Sequence, residues 1–283
     1  MRHLLAIFRL VRLPNTFTAA ADVLAGAAIA GVDPLRGDVL ACALGSGLLY
    51  GGGIALNDRL DLEKDRVAAP DRVLPRGDLA ARTASWLALV LLAGGAATAA
   101  VGGMSHLVST GALVVAIVIY DIIPARRKLA GSVVMGACRG LNLMRGMTLA
   151  VVPVAVFPHG VTAAAHVGLI FLVTVVSTFE GSGRRGVGWK LALLLMPLPY
   201  LVPALLGPWW VLVAGVALSG WVTAPGWTGG GQPVAVVKRA IFTLVIFDAL
   251  YAAAAEYWLT AAILVAFLPL IHLLAKAIGQ RGS

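Results

Sequence analysis

The sequence predicts an all-α fold: a polytopic membrane helical bundle of nine to ten transmembrane helices, forming a single domain over residues 1–283. Three observations predict it. Hydrophobic residues make up 60% of the chain, charged residues only 12%, and the mean hydropathy is +0.92; soluble domains carry about twice that share of charge, roughly 25%. Apolar runs long enough to cross a bilayer recur along the whole length, separated by short polar breaks. The cations are not scattered: of the 22 lysines and arginines, all but Arg36, Arg139 and Arg145 fall at the chain ends or in every second break. That asymmetry is the one the positive-inside rule describes.

Residues 1–13 place Arg2, Arg9 and Arg12 around an apolar stripe, which predicts an interfacial helix. The stretch is too short and too charged at its end for a signal peptide, and no small-residue cleavage site follows. Pro14 then starts a turn into the first span. The predicted spans are 16–32, 38–56, 83–102, 105–122, 130–151, 162–180, 189–206, 208–223, 238–256 and 258–277. Their breaks carry turn chemistry at Asp33-Pro34, Gly102-Gly103, Pro158-His159-Gly160, Gly207-Pro208 and Gly229 to Pro233. Only Glu256-Tyr257 separates the last two spans, so the choice between nine and ten turns on that cut. The basic breaks at 57–82, 123–129 and 181–188 read as cytoplasmic loops, with both termini cytoplasmic, in a multi-pass protein of the cell membrane.

The net charge of +9 sits in short loops beside apolar spans. Membrane lipids are the partners it implies, and nucleic acid is not. The 33 glycines suit close helix packing within a membrane. Cys42 and Cys138 lie in apolar runs without disulfide or zinc spacing and read as buried thiols. The five histidines are scattered and read as loop or helix-end residues, without ligand spacing to one another or to an acid. No serine–histidine–aspartate set and no phosphate-cradling glycine loop is present.

One long polar island interrupts the apolar first half, from Asn57 to Gly77. Asp58, Asp61 and Asp65 stand at i, i+3 and i+7, so on a helix they share a face; Asn57, Asp61 and Asp65 give a second reading of it. Hard oxygen ligands in such a cluster suit Mg²⁺, which is usually shared between one or two carboxylates and a substrate phosphate. Arg59, Arg66, Arg72, Arg76 and Arg82 are interleaved or follow, and guanidinium matches phosphate oxygens. The pattern reads as a magnesium–diphosphate site at the mouth of a membrane cavity; the alternative is a solvated loop between two helices.

Further on, Arg126, Arg127 and Lys128 follow Tyr120-Asp121, either as a diphosphate clamp or as a topology signal. Span 5 holds Arg139, Asn142 and Arg145 on one stripe. A central arginine costs about 2.5–3.5 kcal/mol on insertion scales, so it faces a cavity or a partner. The acids inside other spans are Asp22 and Asp248, with Glu180 at a span end. Asp22–Arg139 is the expected structural pair; alternatively Arg139 reaches the diphosphate.

The string Asn57-Asp-x-x-Asp-x-x-x-Asp65, followed by Arg72-x-Leu-Pro-x-Gly77, resembles the first aspartate-rich motif of the UbiA superfamily, with Val73 in place of that family's first proline. Cys138-Arg-Gly-Leu-Asn-Leu-x-x-Gly-Met147, with Tyr120-Asp121 and Ala21 to Gly26, resembles the EboC-like branch. The resemblance covers nearly the whole chain. It implies a UbiA-like fold, nine spans in most members, and a Mg²⁺-dependent intramembrane prenyltransferase that moves an isoprenyl group from an isoprenyl diphosphate to an apolar acceptor. It implies Asp61 and Asp65 as catalytic residues, and Asn57, Asp58, Asp61, Asp65 and Glu180 as metal ligands. Asn15, Arg66, Tyr120, Arg126, Arg127, Arg139, Arg184 and Arg185 are the implied substrate-binding residues.

The departure comes after span 6. Family members carry a second aspartate motif there, but this chain keeps only Glu180, with Arg184 and Arg185 nearby. Two other readings therefore stand beside transfer: a UbiA-type terpene cyclase, and a non-catalytic membrane protein that binds or moves a lipid-like metabolite.

Overall fold

The computed structural model describes residues 2–123, 128–150, 159–180, 186–228 and 231–279. These residues fold as helices in the order α1 (Arg2–Leu10), α2 (Leu13–Ile29), α3 (Gly37–Leu60), α4 (Leu62–Ala68), α5 (Ala81–Ala97), α6 (Met104–Ile122), α7 (Lys128–Met147), α8 (Val161–Ser177), α9 (Val187–Leu195), α10 (Pro197–Leu201), α11 (Trp209–Trp227), α12 (Pro233–Ala254) and α13 (Trp258–Ala277). Each predicted span corresponds to a helical segment. Among the described residues, the segments 37–60, 81–101, 104–122, 187–205, 209–227 and 258–277 are long and apolar enough to cross a bilayer. α2 and α8 are shorter, while α7 and α12 carry charges along their length. The chain is a multi-pass membrane protein.

Local chemistry sets the boundaries. Arg12 takes a left-handed backbone, φ 49°, and separates α1 from α2, which opens on Pro14. α2 stops at Gly31, whose φ of 70° lets the Gly31 and Val32 amides donate back to Ala28 and Ala27 at 3.0 and 2.9 Å. Glu256, at φ 68°, makes the corner between α12 and α13, so the cut between the last two spans falls where the sequence put it.

Two expectations need correction. Span 7 is not one helix: Pro197, Pro199 and Pro203 remove backbone donors, and the segment breaks into α9, α10 and a 3₁₀ turn at Val202–Leu205. The stretch 57–82 is not a loop throughout. Without glycine or proline before Pro70, α3 runs on to Leu60 and α4 follows after a break at Asp61.

The helices that carry intramembrane polar groups lie inside the bundle. α12 packs against α2, α8, α11 and α13, and α2 also packs against α3 and α7. α2 and α7 approach closely at Gly26 and Gly146. A methyl group at Gly26 would overlap the Leu143 carbonyl oxygen, and one at Gly146 the Val23 carbonyl oxygen. Outward faces are apolar, as at Leu89, Val108, Leu194, Val213 and Leu259, which suits contact with lipid.

α1 lies across one end of this bundle. Its Ala6 and Leu10 bury against Leu62, Leu74 and Leu79 of the 57–82 stretch. Arg9 Nε donates to the Ile278 carbonyl oxygen at 2.5 Å, just past the end of α13. The N-terminal helix, the aspartate-rich stretch and the end of α13 therefore gather at the same end of the molecule.

Candidate active site

A cavity of about 410 Å³ opens between α2, α3, α6, α7, α8 and α12. At its mouth stand Arg12, Asn15, Asn57, Tyr120 and Asp121. Its walls are apolar, with Leu49, Leu113, Ile117, Ile170, Val173 and Leu244. Its floor is polar again, formed by Thr18, Ser46, Arg139 and Asn142. A ligand held here has a polar end at the mouth, an apolar body and a polar contact at the bottom.

The mouth depends on the end of α3. Asn57 Nδ2 donates to Asp121 Oδ1 at 3.2 Å, joining α3 to the end of α6. Asp58 is 7% exposed and Asp65 is 4% exposed. Arg72 bridges them: it pairs with Asp65 and lies 3.7 Å from Asp58 Oδ1. Asp61 sits at the break between α3 and α4 and meets Lys64 at 3.2 Å. Among the described residues, Asp121 Oδ2 is a buried carboxylate oxygen without a hydrogen-bond partner, and Asp58 Oδ1 has none either, with only the Arg72 guanidinium 3.7 Å away. Such oxygens cost stability unless a cation or donor meets them. The donor set at this mouth therefore fits Mg²⁺ in its chemistry.

The floor is held by α7. Arg139 Nη1 donates to Asp22 Oδ2 at 2.8 Å and to the Thr18 carbonyl oxygen at 3.0 Å, while Nη2 reaches Thr18 Oγ1 at 2.6 Å. The Asp22–Arg139 pair expected from sequence is therefore formed. Its guanidinium carbon also lies 5.7 Å from the centre of the Tyr50 ring. Asn142 Nδ2 donates to Asp22 Oδ2 and to the Ala19 carbonyl oxygen, both at 2.8 Å. Arg145 is wholly buried and donates to three hydroxyls, on Thr110, Ser46 and Thr98.

The structure does not gather every residue the sequence singled out. Asn15, Asn57, Tyr120 and Arg139 line the cavity, while Asp58, Asp61 and Asp65 do not line it and follow Asn57 at the end of α3, at the break and on α4. Arg66 does not; it is exposed and forms a surface pair with Glu63 at 2.8 Å. Two residues on from it, α4 ends, and Arg72 folds back onto the aspartates instead. Glu180 is exposed, just beyond the end of α8, and the last α8 residue to line the cavity is Ser177. Arg126, Arg127, Arg184 and Arg185 lie outside the described residues.

Sequence reasoning missed Arg12 and Asp121 at the mouth. The signal for Asp121 was its place beside Tyr120 at the end of a span; Arg12 had none. The reading of the histidines as loop or helix-end residues holds for His106, in the first turn of α6, and fails for His166, inside α8; both are buried. His106 is fully buried, with Nδ1 at 3.1 Å from the Arg145 carbonyl oxygen. His166 is 1% exposed and lies 2.9 Å from Asp248 Oδ1, a partner 82 residues away that spacing does not reveal. Both cysteines are free; Cys42 is buried as expected, whereas Cys138 is half-buried and lines the cavity.

Comparison with known proteins agrees with this architecture. A digeranylgeranylglyceryl phosphate synthase of Halobacterium salinarum is 29% identical over 258 residues, spanning 82% of this chain and 92% of that relative. A solved structure concerned with digeranylgeranylglyceryl phosphate synthase in membranes superposes with a TM-score of 0.64 at 19% identity, covering 95% of this chain and all of the other. A UbiA homologue from Archaeoglobus fulgidus bound to GPP and Mg²⁺ gives 0.64 at 16% identity, covering 89% of this chain and 99% of the other. These likenesses establish the fold. The UbiA prenyltransferase family model matches residues 19–231, most of the chain and every cavity-forming helix except α12 and the start of α2, and the protein belongs to that family.

Proposed function

We propose that this protein is a Mg²⁺-dependent intramembrane prenyltransferase that moves an isoprenyl group from an isoprenyl diphosphate to an apolar, lipid-like acceptor. The observation that carries the reading is one cavity with an acidic and basic mouth above apolar walls. Asn57, Asp58, Asp61 and Asp65 are the residues that would hold the metal, with Asp121 fixing Asn57 from behind. When bound, magnesium neutralises charge on the diphosphate leaving group. Arg12 and Arg72 add positive charge at the same end. The walls keep water away from the carbon that loses diphosphate. Tyr50 and Tyr120, both lining the cavity, present aromatic faces to a developing allylic cation.

The polar floor favours transfer over cyclisation. A hydrocarbon cyclase needs no Arg139, Asn142, Ser46 and Thr18 beneath an apolar bore, whereas an acceptor with an oxygen-bearing head uses them. The names of the relatives and the GPP and Mg²⁺ bound to the Archaeoglobus homologue support the same donor chemistry. The narrower EboC-like assignment rests on the strings in α2, α6 and α7 alone. In the cell membrane, the end carrying both termini and residues 57–82 faces the cytoplasm, by the cation asymmetry.

Purified protein incubated with a panel of isoprenyl diphosphates, Mg²⁺ and a membrane lipid extract tests the reading. An alkylated acceptor is the expected product. Released hydrocarbon would make the protein a cyclase, and unchanged diphosphate in every mixture would make it a binding or transport protein.

A further inference from the structure

A second group of polar side chains lies beneath the cavity floor, apart from the diphosphate site. Asp22 on α2, His166 on α8 and Asp248 on α12 each offer a ligand atom, and these atoms all lie within 4.8 Å of one another. The three residues are 0%, 1% and 1% exposed. Each stands one helical turn deeper than a cavity-lining residue of its own helix: Thr18, Ile170 and Leu244 respectively.

The surroundings of His166 fix its tautomer. Nδ1 lies 3.1 Å from the Thr162 carbonyl oxygen, which only accepts, so Nδ1 carries a hydrogen. In the neutral ring, Nε2 then holds a lone pair, and it faces Asp248 Oδ1 at 2.9 Å. Two acceptors at that distance call for a positive charge between them. A histidine that donates its far N–H to a backbone carbonyl while presenting its near nitrogen to carboxylates has the outer support typical of metal-bound imidazole.

A proton on Nε2 satisfies only that one contact. Asp22 Oδ1, Asp248 Oδ2 and Tyr251 Oη are all buried without a hydrogen-bond partner among the described residues. Tyr251 follows Asp248 by three residues on α12, is fully buried, and its ring centre lies 5.4 Å from that of His166. A metal ion engages the carboxylates and Nε2 at once, with Tyr251 Oη on the same helical face as a candidate fourth ligand. Arg139 holds Asp22 by Oδ2, which leaves Oδ1 for the ion. Imidazole among the donors favours a zinc-class ion over magnesium. The geometry points to a buried site for a divalent first-row transition metal ion on Asp22, His166 and Asp248, tying α2, α8 and α12 together independently of the magnesium chemistry at the mouth.

Elemental analysis of the detergent-purified full chain, alongside Asp61→Asn, His166→Ala and Asp248→Asn variants, tests this. We expect near one zinc-class ion per chain in the parent and in Asp61→Asn, and loss of it in the other two. Because those two substitutions also remove a buried pair and can prevent folding, the parent is read a second way. Stripping it with a chelator should lower its thermal midpoint, with recovery on Zn²⁺ but not Mg²⁺, and Co²⁺ loading should give the intense visible bands of a four-coordinate site. Parent protein without stoichiometric metal and without cobalt bands would overturn the proposal, leaving a shared proton on the His166–Asp248 pair. An ion lost with Asp61→Asn but kept by His166→Ala would overturn it too, by putting the metal at the mouth.

Discussion

Arg139 on α7 and Asp22 on α2 meet at 2.8 Å beneath the cavity, 117 residues apart in the chain, with 11% and 1% of their side chains exposed. Removing one partner leaves the other charge buried alone, a change that typically costs about 3–5 kcal/mol. Asp22→Ala and Arg139→Ala should therefore each destabilise the protein strongly. The double substitution should cost clearly less than the sum of the two, because the stranded charge is gone. Thermal unfolding of the four proteins in detergent measures the coupling; strict additivity would show that the two charges do not depend on each other.

Helix contact makes a second prediction. Gly146 faces the Val23 carbonyl oxygen, and Gly26 faces that of Leu143, both of them backbone atoms that cannot swing aside. Gly146→Ala and Gly26→Ala should each destabilise by about 1–3 kcal/mol, as overpacking does. Gly111→Ala is the control, since nothing lies within reach of an added methyl there. The thermal midpoint in detergent checks the contrast, and equal midpoints for all three would show that α2 and α7 are not so closely packed.

How far the sequence foretold this molecule varies with the physics involved. Spans were legible because a bilayer demands about 20 apolar residues and the breaks are marked by glycine, proline and charge. The Asp22–Arg139 pair was legible because few acids inside the spans were available to an intramembrane arginine. The fracture of span 7 at Pro197, Pro199 and Pro203 was overlooked, although proline marks it, because hydropathy is blind to lost backbone donors. The His166–Asp248 contact was not legible at all: it is made by the packing of α8 on α12, and no local pattern encodes which helices touch. At the mouth, the aspartate spacing was legible. That Arg72 rather than Arg66 turns back onto Asp65 depends on where α4 ends.

Topology gives a third prediction. α1 packs on the 57–82 stretch, and Arg9 binds the carbonyl of Ile278, so these segments share a side. The cation asymmetry makes that side cytoplasmic. In a chain with Cys42 and Cys138 replaced, a cysteine introduced at Asp71 should resist impermeant thiol reagent in intact cells and react after permeabilisation. Labelling in intact cells would invert the orientation.

The final prediction concerns which carboxylates hold the diphosphate. Asp65 and Asp58 are buried around Arg72, and Asp121 is fixed to Asn57 at the cavity mouth. Glu180, by contrast, is exposed, beyond the end of α8, whereas Asp58 and Asp65 are buried against Arg72 next to the cavity-lining Asn57. Asp61→Asn and Asp65→Asn should therefore abolish most magnesium-dependent binding of an isoprenyl diphosphate. Asp121→Asn keeps the side-chain shape but removes the charge beside Asn57, and should weaken binding by about tenfold to a hundredfold, the range seen when the support of a metal ligand is lost. Glu180→Gln should leave binding largely intact. Arg72→Ala should act differently from all of these: it removes a cation from the mouth, so it should weaken diphosphate binding at every magnesium concentration and not only at low ones. Calorimetric titration in detergent across a magnesium series separates the two behaviours. If Glu180→Gln proves as damaging as Asp65→Asn, the end of α8 closes onto the mouth when substrate binds, and the metal set includes a residue that stands apart from it in this structure.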